Sequence, residues 1–504
     1  MTALERAIAD PPSVSGVLDR SPVSGLARRS IGFLDVLAQS VSAVAPSAAA
    51  ITFPSIVAAV AGDGTFWAVA GAMLLSLLVA TTVNQFTRRM SATGSLYTFV
   101  SKGLGTLAGF ATGLAMFVGY AFVAMFSLTG CGLFLATLLG TFLPAVQDSA
   151  MLVSASIVAL AAVCFLVLAR GIRLSTRVTL IVESASVALI LVLTIAMIAR
   201  QGGGIHWPVL SIGGTSPRQF ATGAVLALMA FVGFESASTL GAEARRPFAS
   251  IPRAIVWTVV ASGVLYLLST YSQLVGFSAL GRSITSSSSP VNALADAYGL
   301  TWIGLLLDAS IAASFFACAI ASTTALVRVI FSMSRDGLVP AALGRTHPRL
   351  KTPIAAVAVA VPVLAIVPVL AIGFGRGVWA AMEVLLVASA AGYITSYVLV
   401  CVAVVVFLRR IGELTFWVGV RAIVAAVLLG VGLVVYLLDR STSDSAAGVW
   451  IFLVIISIGM IAYRALRARR PWLRHTIGVY DETTLQDLLG GSPGPSPDHG
   501  IPGS

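Results

Sequence analysis

The chain has 504 residues, of which 58% are hydrophobic and only 10% charged, with a formal net charge of +11. Ordinary soluble domains carry about 25% charged residues, so most of this surface faces something other than water and a large soluble domain is excluded. The basic excess invites a nucleic-acid partner, but the basic residues lie mostly in loops on alternate sides of apolar stretches, which is the signature of one face of a membrane.

Residues 1–29 form a polar tail with Pro11, Pro12 and Gly25, and lack the apolar core of a cleavable signal peptide, so the first span stays as an anchor. A bilayer is crossed by about 20 apolar residues. Such stretches recur at 33–60, 66–86, 106–138, 150–169, 177–199, 218–241, 254–280, 301–330, 353–373, 378–408, 417–438 and 447–464, so residues 30–465 read as one all-α integral membrane domain of twelve transmembrane helices. An even number puts both tails on one side. Counted by alternate sides, 26 of the 31 Lys and Arg residues fall on that side, which the positive-inside rule makes cytoplasmic, in a multi-pass protein of the cell membrane. Splitting the long third run into two helices would move Arg170, Arg173 and Arg177 outside, so one long tilted helix fits better. The tail 466–504 ends in "GGSPGPSPDHGIPGS", a composition that predicts disorder. Cys131, Cys164, Cys318 and Cys401 fall inside spans without CxxC spacing and read as small core residues; no metal is expected.

The first and sixth spans are not uniform. Span 1 carries Pro46 among small residues, so its helix should kink or unwind near residues 42–48. Span 6 places Gly233 inside an apolar run, Glu235 two residues on, then Ser236 and Ser238. Irregular backbone at membrane depth is tolerated only where protein or a water-filled cavity satisfies it. Helices 1 and 6 open two successive sets of five, which enter the membrane from opposite sides, as in an inverted repeat. Paired interruptions at such positions are the sequence pointer to a transporter's binding site. Free N–H groups at a half-helix start suit an anion, and free carbonyls at a half-helix end suit a cation.

Asp35 lies at the inner mouth of span 1 and can reach water. Glu183, Glu235, Asp308 and Glu383 sit further inside spans, and no lysine does. Intramembrane carboxylates cost about 2.5–3.5 kcal/mol or more and are functional hypotheses by default. Asp308 and Glu383 lie within roughly 10 Å of the outer ends of their helices and could reach water there. Glu183 and Glu235 lie about equally deep from the inner side, and the adjacent Gly233 favours Glu235. Three roles stand open for Glu235: proton carrier, amine ligand, or tie for the broken backbone. An acid-only interior favours a cationic partner, such as a proton or an ammonium group. Phe231, one turn before Glu235, could close over a substrate.

The stretch "FVGFESASTLGAEARRPFASIPRAI" resembles a segment of the amino acid-polyamine-organocation superfamily of secondary transporters. So do "ALVRVIFSMSRDGLVPAALGRTHPRLKTPIAA" at 325–356, "RRMSATGSLYTFVSKGLGTLAGFATG" at 88–113 and "GYITSYVLVCVAVVVFLRR" near helix 10. The resemblance implies a leucine-transporter-like five-plus-five inverted repeat plus two C-terminal helices, alternating access, and a central site between helices 1, 3, 6, 8 and 10. It implies that a substrate carboxylate meets backbone N–H groups near Ala45 to Ala49, with Ala45, Pro46, Ser47, Ala48 and Ala49 as the substrate-binding stretch of helix 1. The substrate ammonium would meet carbonyls at Phe231, Val232 and Gly233, with Phe231 as the gate and Glu235 and Ser236 beside them. The chain departs from the pattern in "VAPSAAA" on helix 1, where many members have glycines, and in Glu183, which stands where some members carry a helix-5 lysine. Ser322, Thr323 and Thr324 leave open a sodium site with helix 1. The expectation is a cofactor-free permease, monomer or homodimer, moving an amino acid or amine by proton symport. Exchange, or a non-transporting sensor on the same fold, is the alternative. An enzyme is disfavoured, since His206, His347, His475 and His499 all lie in loops or tails.

Overall fold

Hydrocarbon offers no water to a backbone N–H or C=O, so a chain this apolar satisfies its backbone within helices. A computed structural model describes residues 21–143, 149–200, 206–286, 290–297, 301–441, 443, 445–473 and 477–482. The spans are built from α1 (Phe33–Val44), α2 (Pro46–Ala61), α3 (Thr65–Thr87), a short α4 (Leu96–Leu104), α5 (Thr106–Phe142), α6 (Ala150–Ala169), α7 (Ile172–Arg200) and α8 (Pro217–Met229). They continue with α9 (Pro247–Ala279), a short α10 (Pro290–Ala297), α11 (Thr301–Arg335), α12 (Ile354–Ala371), α13 (Val378–Arg410), α14 (Phe416–Arg440) and α15 (Ala446–Arg469).

Eleven stretches among the described residues are long and apolar enough to cross a membrane. The first, Phe33–Thr87, has 55 residues. At 1.5 Å per residue that is roughly 80 Å, far more than the ~30 Å of hydrocarbon, so it must reverse. It does so at Gly62–Gly64, where Gly64 N donates to Thr215 Oγ1 (3.0 Å) and Thr215 Oγ1 donates to Ala61 O (2.9 Å). The twelve expected spans are thus present, and the third is a single helix of 37 residues.

Burial separates the helices that form the core from those that meet lipid. In the apolar windows of α5 and α11 67% of residues are buried, and 83% in 217–240, against 22% in α7 and α15. α5 runs against both α11 and α13, with α1, α2 and α8 alongside the same core. The four cysteines are buried and unpaired.

Both interrupted spans are broken where the sequence predicts. α1 ends at Val44, and Ala45 adopts a left-handed conformation (φ 50°, ψ 57°), which costs an L-residue about 1–2 kcal/mol. α2 then starts on Pro46, whose missing N–H is harmless at a first helical position. In span 6, α8 stops at Met229, the chain turns, Gly233 takes φ 101°, and residues Phe234–Leu240 continue as a 3-10 helix. The two breaks touch. Ser40 Oγ donates to Phe234 O (2.5 Å) and Ser236 Oγ to Gln39 O (3.2 Å). A Cβ on Gly233 would lie 2.8 Å from the Ala43 carbonyl oxygen.

Both tails meet on one face. Residues 29–31 run beside 242–245 in backbone hydrogen bonds, among them Arg245 N to Ile31 O (3.0 Å). Asp481 accepts from Arg28 Nε and Arg29 Nη2, each at 2.9 Å, and from Ser21 Oγ at 2.8 Å. The neighbouring Asp336 accepts from the Tyr97 hydroxyl, Gly478 N (2.8 Å) and Val479 N (3.3 Å). The first part of the C-terminal tail is therefore docked, while the Gly/Pro/Ser stretch read as disordered lies outside the described residues. Beneath the tails, Arg328 and Glu243 form a buried two-pronged ion pair (2.5 and 3.3 Å).

Burial raises the Asp336 carboxyl to about 6, outweighing the hydrogen bonds it accepts. The folded protein therefore holds this proton more tightly than the unfolded chain does. The linked stabilisation is full below about pH 4 and is lost as pH rises through 6. Melting of the wild type in detergent should lose on the order of 2 kcal/mol from pH 4 to pH 7 relative to Asp336→Asn, whose difference curve should be flat if Asp336 is not the group involved. Gly233→Ala forces a side chain into a left-handed residue pressed on Ala43. It should destabilise the protein by about 2 kcal/mol or more, measured as a lowered Tm; an unchanged Tm would show that the breaks are not in contact.

Candidate functional site

The start of α2 leaves three N–H groups near the break, because Pro46 has none. Ser47 N donates to Glu183 Oε1 (3.2 Å), Ala48 N to Ser314 Oγ (3.3 Å), and Ala49 N to Ala45 O (3.0 Å). Glu183 Oε1 also accepts from Ser47 Oγ (3.1 Å) and Ser314 Oγ (3.0 Å). Glu183, on α7, thus acts across helices as an anionic cap on α2, the placement that a helix dipole favours. Its other oxygen, Oε2, is buried without a hydrogen-bond partner.

Glu235 is held quite differently. Oε1 accepts from the Tyr120 hydroxyl of α5 (2.8 Å) and Oε2 from the Tyr397 hydroxyl of α13 (2.5 Å). The Tyr397 hydroxyl also accepts from Gly233 N at 3.4 Å, so the pair ties the break of span 6 to α5 and α13. Of the three roles open in the sequence, the geometry has the contacts that a backbone tie requires.

Between the two breaks lies a cavity of about 30 Å3. That is room for a water molecule or two and not for a substrate, so the site is closed down in this conformation. Ala43, Val44, Ala45 and Ala49 form one wall and Met229 and Val232 another. Phe53, Phe126 and Phe315 supply aromatic faces, with Phe126 and Phe315 edge-on at 5.6 Å. The polar side chains on the lining are Ser127 and Cys318, side by side, and Cys318 Sγ lies 3.2 Å from Ala43 O, which accepts from it.

The expected central location between helices 1, 3, 6, 8 and 10 is where this cavity sits, and Ala45, Ala49 and Val232 line it. Pro46, Ser47, Ala48, Glu183, Gly233, Glu235 and Ser236 are not among its lining residues. Phe231 does not line the cavity: its ring packs edge-on against Tyr266 of α9 at 4.9 Å. On α11, Ser322 Oγ lies 3.7 Å from Cys318 Sγ, and the hydroxyls of Thr323 and Thr324 are unpartnered. The carbonyl of Ala321 accepts from Gln39 Nε2 (2.7 Å). Near the opposite face from the tails, Asp308 accepts from Asn292 (2.9 Å) and Glu383 pairs with Arg440 (2.9 Å), so neither joins the central site. Sequence reasoning missed Tyr120, Tyr397, Ser314 and Ser127. Buried hydroxyls in apolar spans were the available signal, but the sequence has too many of them to rank.

The comparisons agree with this geometry. The amino acid permease family profile matches residues 35–475. The branched-chain amino acid permease BcaP of Bacillus subtilis (strain 168) is 25% identical over 309 residues, 59% of this chain and 65% of that protein. The low-affinity putrescine importer PlaP of Escherichia coli (strain K12) is 24% identical over 292 residues, 57% of this chain and 63% of that protein. Either alignment spans less than two thirds of the relative. The solved structure of Mhp1, a nucleobase-cation-symport-1 family transporter in a closed conformation, matches with a TM-score of 0.55 over 95% of this chain and 99% of that chain, at 13% identity. That is a likeness of fold, the leucine-transporter-like one with two broken helices. With the profile running from inside α1 to beyond α15, the chain belongs to the amino acid permease family.

Proposed function

We propose that the protein is a secondary active transporter that moves an amino acid or a related amine across the cell membrane by alternating access, coupled to protons. The observation that carries this reading is the closed cavity between two broken helices, bounded by groups from five crossings. A substrate can enter only if helices separate on one side. The tails, Asp481 with Arg28 and Arg29, and the Glu243–Arg328 pair close the arginine-rich face, which is read as cytoplasmic from its charge. Opening on that side has to part these ion pairs, a rigid-body rearrangement of the kind such gates undergo.

Coupling is assigned to Glu183 and not to Glu235. Glu183 bridges α7, α2 and α11, which must shift relative to one another for the cavity to open, and its Oε2 has no partner in the closed form. The titratable groups nearest it are Tyr266 on α9 and Cys318 on α11.

In proteoliposomes with an inside-negative potential and an inward proton gradient, labelled amino acids or amines should accumulate, and collapsing the gradient should stop accumulation. Exchange without net uptake would replace symport by antiport. Glu183→Gln should flatten the pH dependence of uptake, while Glu235→Gln, whose amide can still bond both tyrosine hydroxyls, should keep the wild-type profile. The reverse pattern would move the coupling site to Glu235.

A further inference from the structure

The hydrogen-bond accounting around the cavity is lopsided. On the donor side, Pro46 has no N–H, and those of Ser47, Ala48 and Ala49 are engaged by Glu183, Ser314 and Ala45. On the acceptor side, the carbonyls of Val44 and Val232, two residues that line the cavity, receive no hydrogen bond among the described residues. Val44 ends α1 and Val232 lies in the turn between α8 and the 3-10 segment, so neither has a helical partner in the following turn. The Ser127 hydroxyl is buried on the lining, beside Cys318. A ligand here meets these two carbonyls and a hydroxyl, while the N–H groups at the start of α2 are taken; the one lining N–H at the break of span 6 without an acceptor among the described residues is that of Val232.

The charge balance points the same way. The helix start that would receive a substrate's carboxylate already holds the carboxylate of Glu183. A second carboxylate would have to displace Glu183 from N–H groups that are already engaged, whichever protonation state Glu183 holds. The remaining lining is apolar and aromatic, with Val123, Met229, Leu386 and three phenylalanines, and offers no second acid for a second ammonium.

From this, deepening and resting on the transport reading above, we infer that Glu183 stands in for the substrate's own carboxylate, and that the site takes a primary monoamine with an apolar or aromatic body and no α-carboxylate. The ammonium is received by the open carbonyls of Val44 and Val232 with Ser127 beside them. The apolar body lies against Phe53, Phe126 and Phe315 once the cavity widens. Glu183 is then a specificity-determining residue that excludes amino acids by occupying their anchor point.

The test is binding in detergent by thermal shift, which does not depend on transport. Probes are matched pairs: 2-phenylethylamine with L-phenylalanine, and 3-methylbutylamine with L-leucine. The amines should stabilise the full-length protein at concentrations about tenfold or more below those of the amino acids, a difference of about 1.4 kcal/mol. L-leucinamide, which keeps the amine and side chain but has no carboxylate, should group with the amines. Glu183→Ala frees Ser47 N and should narrow or reverse the ratio. If that variant does not fold, the leucinamide comparison in the wild type decides the matter alone. Leucine or phenylalanine binding as well as the matched amine would overturn the inference and leave the transport reading intact. Ligand binding with the predicted preference but without uptake or exchange in proteoliposomes would overturn the transport reading instead.

Discussion

A backbone N–H or C=O that leaves its helix inside a membrane must be met by another group, and the centre of this protein is organised around that requirement. Each unmet group costs several kcal/mol in hydrocarbon. At the break of span 1 the N–H groups are met by Glu183 and Ser314, contributed by α7 and α11. At the break of span 6 they are met by Tyr397, itself locked by Glu235. Three different helices, α7, α11 and α13, are thereby recruited to two short stretches of irregular chain. The bundle is held at its centre by polar bonds and around it by apolar packing.

That arrangement also explains why the break can exist at an alanine. Ala45 sits in a conformation that glycine adopts freely. The strain is sustained because Pro46 presets the first turn of α2 and Glu183 caps it, so the conformation is over-determined by its surroundings. Ser47 contributes both its N–H and its hydroxyl to the same carboxylate oxygen. The pattern "VAPSAAA" is thus a coherent alternative to a glycine-rich break, one in which rigidity and an internal anion take the place of an open backbone cradle.

Much of this was legible in the sequence. Composition and the spacing of apolar runs yield the twelve spans, since lipid imposes helices and length imposes their number. Pro46 and Gly233 locate both breaks to within a residue or two, because each has a local steric cause. The side-chain partners were not legible. Whether a buried glutamate meets tyrosines, as Glu235 does, or a helix start, as Glu183 does, depends on helix rotations set by packing across sequence separations above one hundred residues. Phe231 shows the same limit: one turn from Glu235 in sequence, it faces Tyr266 instead of the cavity.

The two glutamates make the general point in one comparison. Both sit at similar depth in apolar helices, both are fully buried, and by composition alone they are interchangeable. Glu235 has both oxygens bonded by tyrosines on helices of the core, so changing its environment means taking the core apart. Glu183 has one oxygen shared among three donors from two helices and the other oxygen bare. Moving α2 relative to α11 changes what Glu183 touches, because its donors come from both. A group whose partners change when the cavity opens has a different affinity for a proton in the two states, and only such a difference can couple a proton to a conformational change. By that criterion the coupling proposed above falls to the acid on the unbroken helix and not to the one beside the glycine break, although the latter is the more conspicuous in sequence.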